Sequence, residues 1–160
     1  VAAQERRLQS QGISTTRTPV PLRELWEVSA ASCVNVIRLG MHNCVPWRFT
    51  DMLAMGACVV FDQAPQTVWP VPLVPEQHFL DLGLLTPPEG GQASDEAYAA
   101  IPAKIDEIVA DLDRVQRIRS AAAAYYDDHV EPGAIGRYLL HRVCDGMRKE
   151  AEPPVAANAR

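Results

Sequence analysis

Pro46-Trp47-Arg48-Phe49-Thr50-Asp51-Met52-Leu53-Ala54-Met55-Gly56-Ala57-Cys58-Val59-Val60-Phe61-Asp62 reads as a polar loop feeding a short helix, closed by a glycine and followed at once by a buried strand. Helix is expected from about Arg48 to Met55, with Phe49, Met52 and Leu53 on its inner face and Gly56 as the left-handed stop. Ala57 to Phe61 is apolar without alternation, the pattern of a central parallel strand covered on both faces. The first turn carries Arg48, although the positive end of a helix dipole disfavours a cation there by a few tenths to about 1 kcal/mol. Two arrangements relieve that conflict: an anion such as a diphosphate bound at the helix start, or an ion pair with Asp51 or Asp62.

Upstream, Cys33-Val34-Asn35-Val36-Ile37-Arg38-Leu39 is short, rich in β-branched residues and bounded by Gly40, which predicts a mostly buried strand. Gly40 to Trp47 is then a loop, and strand, loop, helix, strand make a βαβ unit. A right-handed crossover places that loop and the start of the Arg48 helix at the carboxyl edge of the sheet, where open α/β sheets bind ligands. Leu22, Leu25, Trp26 and Val28 recur at helical spacing, with Pro21 tolerated just ahead of the first turn, so a helix runs to about Ser32. Residues 2–11 suit a helical turn or two, and Ile13 to Pro21 an extended connector.

Downstream, Pro65, Pro70, Pro72 and Pro75 keep Gln63 to Glu76 extended over the surface. His78-Phe79-Leu80-Asp81-Leu82 suits a third short strand, and Pro87-Pro88-Glu89-Gly90-Gly91-Gln92 a turn-rich loop. Ser94 to Leu112 reads as a helix with Ile101, Ile105, Ile108 and Leu112 in one stripe, Pro102 lying near its true start. Val115 to Tyr126 is an alanine-rich helix, and Ala134 to Met147 another, with Ile135, Leu139, Val143 and Met147 on one side. The Pro/Ala tail is expected to be disordered. The expected organisation is 1–21 connector, 22–148 α/β domain and 149–160 tail.

The chain has 160 residues, 48% of them hydrophobic, enough for one domain with a real core. Its 20 acidic residues outnumber 15 basic ones and no basic block is dense enough to track a phosphate backbone, which argues against nucleic acid as a partner. Cys33, Cys44, Cys58 and Cys144 form no CxxC pair, so neither zinc nor a disulfide framework is indicated. No apolar stretch approaches the roughly 20 residues of a transmembrane segment, and the polar start has no signal-like apolar region, so the expected setting is cytoplasmic.

From Arg48 to Asp62, with the Trp69–Leu82 segment and the helices behind it, the chain resembles the C-terminal nucleotide-sugar domain of GT-B glycosyltransferases, over roughly residues 18–145. Within that class it is most similar to exostosin-like enzymes and bacterial glycosyltransferases related to spore-maturation proteins. The likeness rests on an arginine, an acidic residue three positions on, and a small-residue helix end entering an apolar strand: Arg48, Asp51 and Ala54-Met55-Gly56-Ala57. Trp26 in the preceding helix and Tyr125-Tyr126-Asp127-Asp128-His129 in the closing helices extend it.

The resemblance implies an α/β fold: a partial Rossmann-like domain with a small parallel sheet flanked by helices. It implies transfer of a sugar from a nucleotide-diphosphate sugar to a hydroxyl on a glycan or lipid acceptor, with no cofactor and no catalytic metal. Arg48 would stabilise the leaving diphosphate, the one catalytic assignment. Asp51 would accept from ribose hydroxyls or, alternatively, serve the helix dipole. Thr50 and the amides around Trp47–Thr50 would cradle phosphate, unless Thr50 is a plain cap. Trp47 would stack on the base or pack; His42 and Asn43 lie in the donor loop, contacting donor or solvent; Glu76 would reach the donor sugar or stay on the surface. Asn43 and Asp51 stand where many retaining members carry glutamates, leaving the stereochemical outcome open. The chain lacks room for an N-terminal Rossmann-like half, so it reads as a piece of an enzyme, with that half or self-association as partner. The alternative is a non-catalytic α/β interaction domain with a decayed site; a flavodoxin-like domain is disfavoured because residues 1–30 contain no opening buried strand.

Overall fold

Val59-Val60-Phe61 forms strand β2 (Val59–Phe61), whose side chains are all fully buried. In this computed structural model, which describes residues 19–40, 44–67, 69–84 and 94–151, β2 is the centre of a three-stranded sheet. It pairs in parallel with β1 (Asn35–Ile37) on one side and β3 (Leu80–Asp81) on the other, Asn35 facing Val59, Ile37 facing Phe61 and Val60 facing Leu80. The helices are α1 (Leu22–Ala31), α2 (Arg48–Ala54), α3 (Asp95–Ala99), α4 (Ile101–Ala110), α5 (Leu112–Tyr125) and α6 (Pro132–Ala151). A wide π-helical turn, Tyr126–Val130, joins the last two. The chain divides into two units, Val1–Ala31 and Ser32–Arg160. In the first, α1 buries Ser29 and leaves Leu22, Trp26 and Val28 exposed.

The second unit holds the sheet, and the run around β2 explains its layers. Successive strand side chains point to opposite faces, so Val59 and Phe61 join one apolar cluster and Cys58 and Val60 the other. The first cluster gathers Phe49, Met52 and Leu53 of α2 with Phe79, Ala122, Tyr125 and Val130. The second gathers Leu80, Leu82 and Leu84 with Ile108 of α4 and Val115 and Ile118 of α5. Helix α5 therefore serves both faces in turn: its first half covers one, its last turn the other. Each large side chain so buried contributes about 1.5–3 kcal/mol.

Locally, the β1–α2–β2 unit forms as its sequence predicts. Gly56 ends α2 at φ 60°, the left-handed conformation that costs an L side chain. The Gly56 carbonyl accepts from Arg119 Nε of α5 at 2.9 Å, which ties the helix stop to the layer beside it. Phe49 meets Phe61 at 5.0 Å between ring centroids and Trp69 at 6.3 Å, edge-on in the second case, a favourable aromatic geometry.

Three expectations change. Strand β1 is half-buried rather than mostly buried, with Val36 53% exposed, because it lies at the edge of the sheet among the described residues. Gln63 to Glu76 does run over the surface, most of its described residues exposed, and with the residues on to 79 it forms the crossover between parallel β2 and β3, Trp69 and Leu73 turning in to pack on the first cluster. The Ser94–Leu112 helix is two helices, α3 capped by the Ser94 hydroxyl and α4 carrying proline in its first turn. Leu112 leaves the α4 stripe to begin α5 and is 63% exposed. Helix α6 runs through Ala151, past the boundary expected at 149, and its stripe of Ile135, Leu139, Val143 and Met147 is exposed. The expected turns or loops at 2–11 and 87–92, and the remainder of the tail, lie outside the described residues. Among the described residues no helix is long and apolar enough to cross a membrane.

Candidate functional site

Because β1 and β2 run parallel, the chain leaving β1 must reach α2 on the carboxyl side of the sheet, and the start of α2 lies there. Asp62, the first residue after β2, organises this edge. Its Oδ1 accepts from the backbone N–H of Leu39 at 3.2 Å and of Gln63 at 3.1 Å, and its Oδ2 lies 3.7 Å from Arg38 Nε. Val45 N–H donates to Thr67 Oγ1 at 3.1 Å, linking the loop ahead of α2 to the crossover.

Arg48 is exposed, and its guanidinium lies over the Trp47 ring, 5.5 Å from the centroid. Among the described residues no carboxylate is within ion-pair distance of it: Asp62 has turned to Arg38, and Asp51, half-buried, has no hydrogen-bond or ion-pair partner for its side chain. Trp47 is 63% exposed, so it is not the packing residue its place before a buried helix allowed. The Thr50 hydroxyl donates back to the Trp47 carbonyl at 2.7 Å. The backbone amides of Phe49 and Thr50 donate to the carbonyls of Pro46 and Trp47 at 2.9 and 3.3 Å, so neither is open to cradle phosphate. His42 and Asn43 lie outside the described residues. The structure thus brings together Trp47, Arg48, Thr50 and Asp51 on one turn, the first two exposed and the last two half-buried.

Glu76 is elsewhere. At φ 64° it turns to Arg114 at the start of α5, with Oε2 2.6 Å from Nη2 and 2.9 Å from Nε, a forked pair that commits the carboxylate to joining the crossover to the helix layer. Beneath the crossover is a hollow of about 370 Å³ whose lining includes Pro65, Thr67, Trp69, Leu73 and Phe79 but neither Arg48 nor Asp51. The Trp69 Nε1 is buried there without a hydrogen-bond partner.

Sequence reasoning passed over Arg38 and Thr67 at this edge, and over the grouping of His78, Tyr125 and His129 behind the crossover. An aspartate directly after a buried strand is the signal that points to the first, since its carboxylate can reach the amides leaving the neighbouring strand. Cys58, immediately before β2, has its thiol pushed up to about 11 by burial, and then by the neighbouring Cys33, so it packs as a small hydrophobe rather than reacting. No cluster of three or more potential metal ligands occurs among the described residues. Compared with known proteins, the chain matches no family model, no curated protein and no solved structure.

Proposed function

We propose that the chain is the donor-binding portion of a GT-B-type glycosyltransferase, which moves a sugar from a nucleotide diphosphate to a hydroxyl on a glycan or lipid. One observation carries the reading: Arg48 stands exposed where α2 begins beside the carboxyl edge of a parallel sheet, with no carboxylate partner among the described residues. A guanidinium so placed suits a diphosphate, whose charge it can meet with two parallel hydrogen bonds, while the exposed Trp47 ring beside it offers a surface for a base. Asp51, three residues on, accepts hydrogen bonds from the ribose hydroxyls in this reading. The sheet topology, a small parallel α/β arrangement, is compatible with half of such an enzyme, and the acceptor half would come from another segment or subunit.

Titration calorimetry with UDP and GDP tests it. Binding in the wild type should weaken by about 1–3 kcal/mol in Arg48→Ala, the range for losing a hydrogen bond to a charged group, which is roughly 5- to 150-fold in Kd. Equal affinity in the two proteins counts against the assignment. The second reading, a non-catalytic interaction domain, is favoured by the exposed α6 stripe; it requires no heat from either nucleotide.

A further inference from the structure

We propose that His78 is a pH-sensitive clasp: its neutral ring fastens the β2–β3 crossover onto α5, and protonation releases it. The inference stands apart from the sugar-transfer reading. The backbone N–H of Val74 donates to His78 Nδ1 at 3.0 Å. That bond needs the Nδ1 lone pair, so the ring is neutral with its proton on Nε2. Adding a second proton at Nδ1 would set two N–H groups against each other. The same turn is closed by His78 N–H donating to the Val74 carbonyl at 2.9 Å and Glu76 N–H to the Phe79 carbonyl at 2.8 Å. One proton therefore acts on the turn that delivers the chain into β3.

The ring is also one of the crossover's contacts with the helices. It is 7% exposed and lies 4.6 Å from the Tyr125 ring between centroids. Tyr125, at the end of α5, donates its hydroxyl to the Val71 carbonyl at 2.6 Å, a second fastening to the same segment. His129, placed by the π-helical turn, packs on Tyr125 at 5.1 Å. A cleft of about 540 Å³ lined by His78, Tyr125 and His129 among others gives the buried ring a route to solvent protons.

The surrounding charges do not favour an imidazolium at His78. On its own segment, Glu76 is held by Arg114. From α5 comes Tyr125, whose ionisation burial pushes up. From the π-helical turn come Asp128, exposed so that solvent screens its attraction, and His129, whose positive form repels a second imidazolium. Burial first, and then His129, hold the basicity of His78 below the usual 6.5. The sign follows. An opened crossover, with an ordinary imidazole, takes up its proton as pH falls through about 6.5, whereas the closed form resists it. Closure is complete above that pH and is lost progressively below it.

Nitrogen-detected NMR of the full chain, with amide exchange expressed as protection factors, tests this between pH 7.5 and 5. The expected result is the Nε2–H tautomer at pH 7.5, a His78 midpoint below 6.5, and a fall in Val74 amide protection as the pH drops from 7.5 to 5. His78→Asn puts an amide oxygen near the Nδ1 position, an acceptor that does not titrate, and its Val74 protection should be flat over the same range. An Nδ1–H tautomer at pH 7.5, a midpoint at or above 6.5, or an acid-sensitive Val74 amide in His78→Asn would each overturn the proposal. If that variant fails to fold, the wild-type tautomer and midpoint decide alone.

Discussion

Phe49→Ala is expected to lower the unfolding free energy by about 3–5 kcal/mol, the range for truncating a fully buried aromatic side chain. Phe49 has no exposed surface, is the inward residue of the first turn of α2, and meets both Phe61 of the central strand and Trp69 of the crossover. Its removal leaves a cavity where three segments converge. Helix α2 has only seven residues and so cannot hold its shape without that packing. Urea unfolding followed by far-UV circular dichroism reads the change as a lower midpoint at constant slope. A loss under about 1 kcal/mol, well below the range for a buried aromatic, would mean that α2 does not dock on β2 through this ring.

Ile118→Ala should cost about 2–5 kcal/mol by the same measurement. Ile118 is 1% exposed and belongs to the opposite face, with Val60, Leu80 and Ile108 around it. The two positions fall in different apolar clusters with β2 between them, so the double variant should show the sum of the single losses to within about 0.5 kcal/mol. Coupling well above that would mean that α5, which contributes to both clusters, shifts as a rigid body when either face is opened. Ile118→Ala leaves the Arg48 turn untouched, whereas Phe49→Ala removes that turn's inner anchor. On the proposed sugar-transfer reading, nucleotide binding should therefore fall in Phe49→Ala and persist in Ile118→Ala at urea concentrations where both remain folded.

The run from Arg48 to Asp62 shows what a sequence can carry. An apolar run too short for a buried helix, a glycine before it and three inward residues ahead of that glycine specify helix, stop and central strand, because each signal acts over one or two turns of chain. The face of each helix was legible in the same way, since a period of 3.6 residues fixes direction. What covers the face was not: α6 has the clean stripe of a buried helix and leaves it exposed, while Ser94–Leu112 has one stripe and becomes two helices, with Leu112 turned outward.

For the candidate site the division is sharper. The sequence alone determined that an arginine begins a helix between two parallel strands, and hence that it lies at the carboxyl edge. Only the tertiary structure decided the partners: Asp62 turns to Arg38 rather than to Arg48, and Glu76 finds Arg114, 38 residues away. In the same way His78 settles between Val74 and Tyr125. Helix starts and strand runs are set by neighbours along the chain, whereas a charge or an imidazole is satisfied by whichever group folding brings within about 3 Å, and no spacing in the sequence encodes that choice.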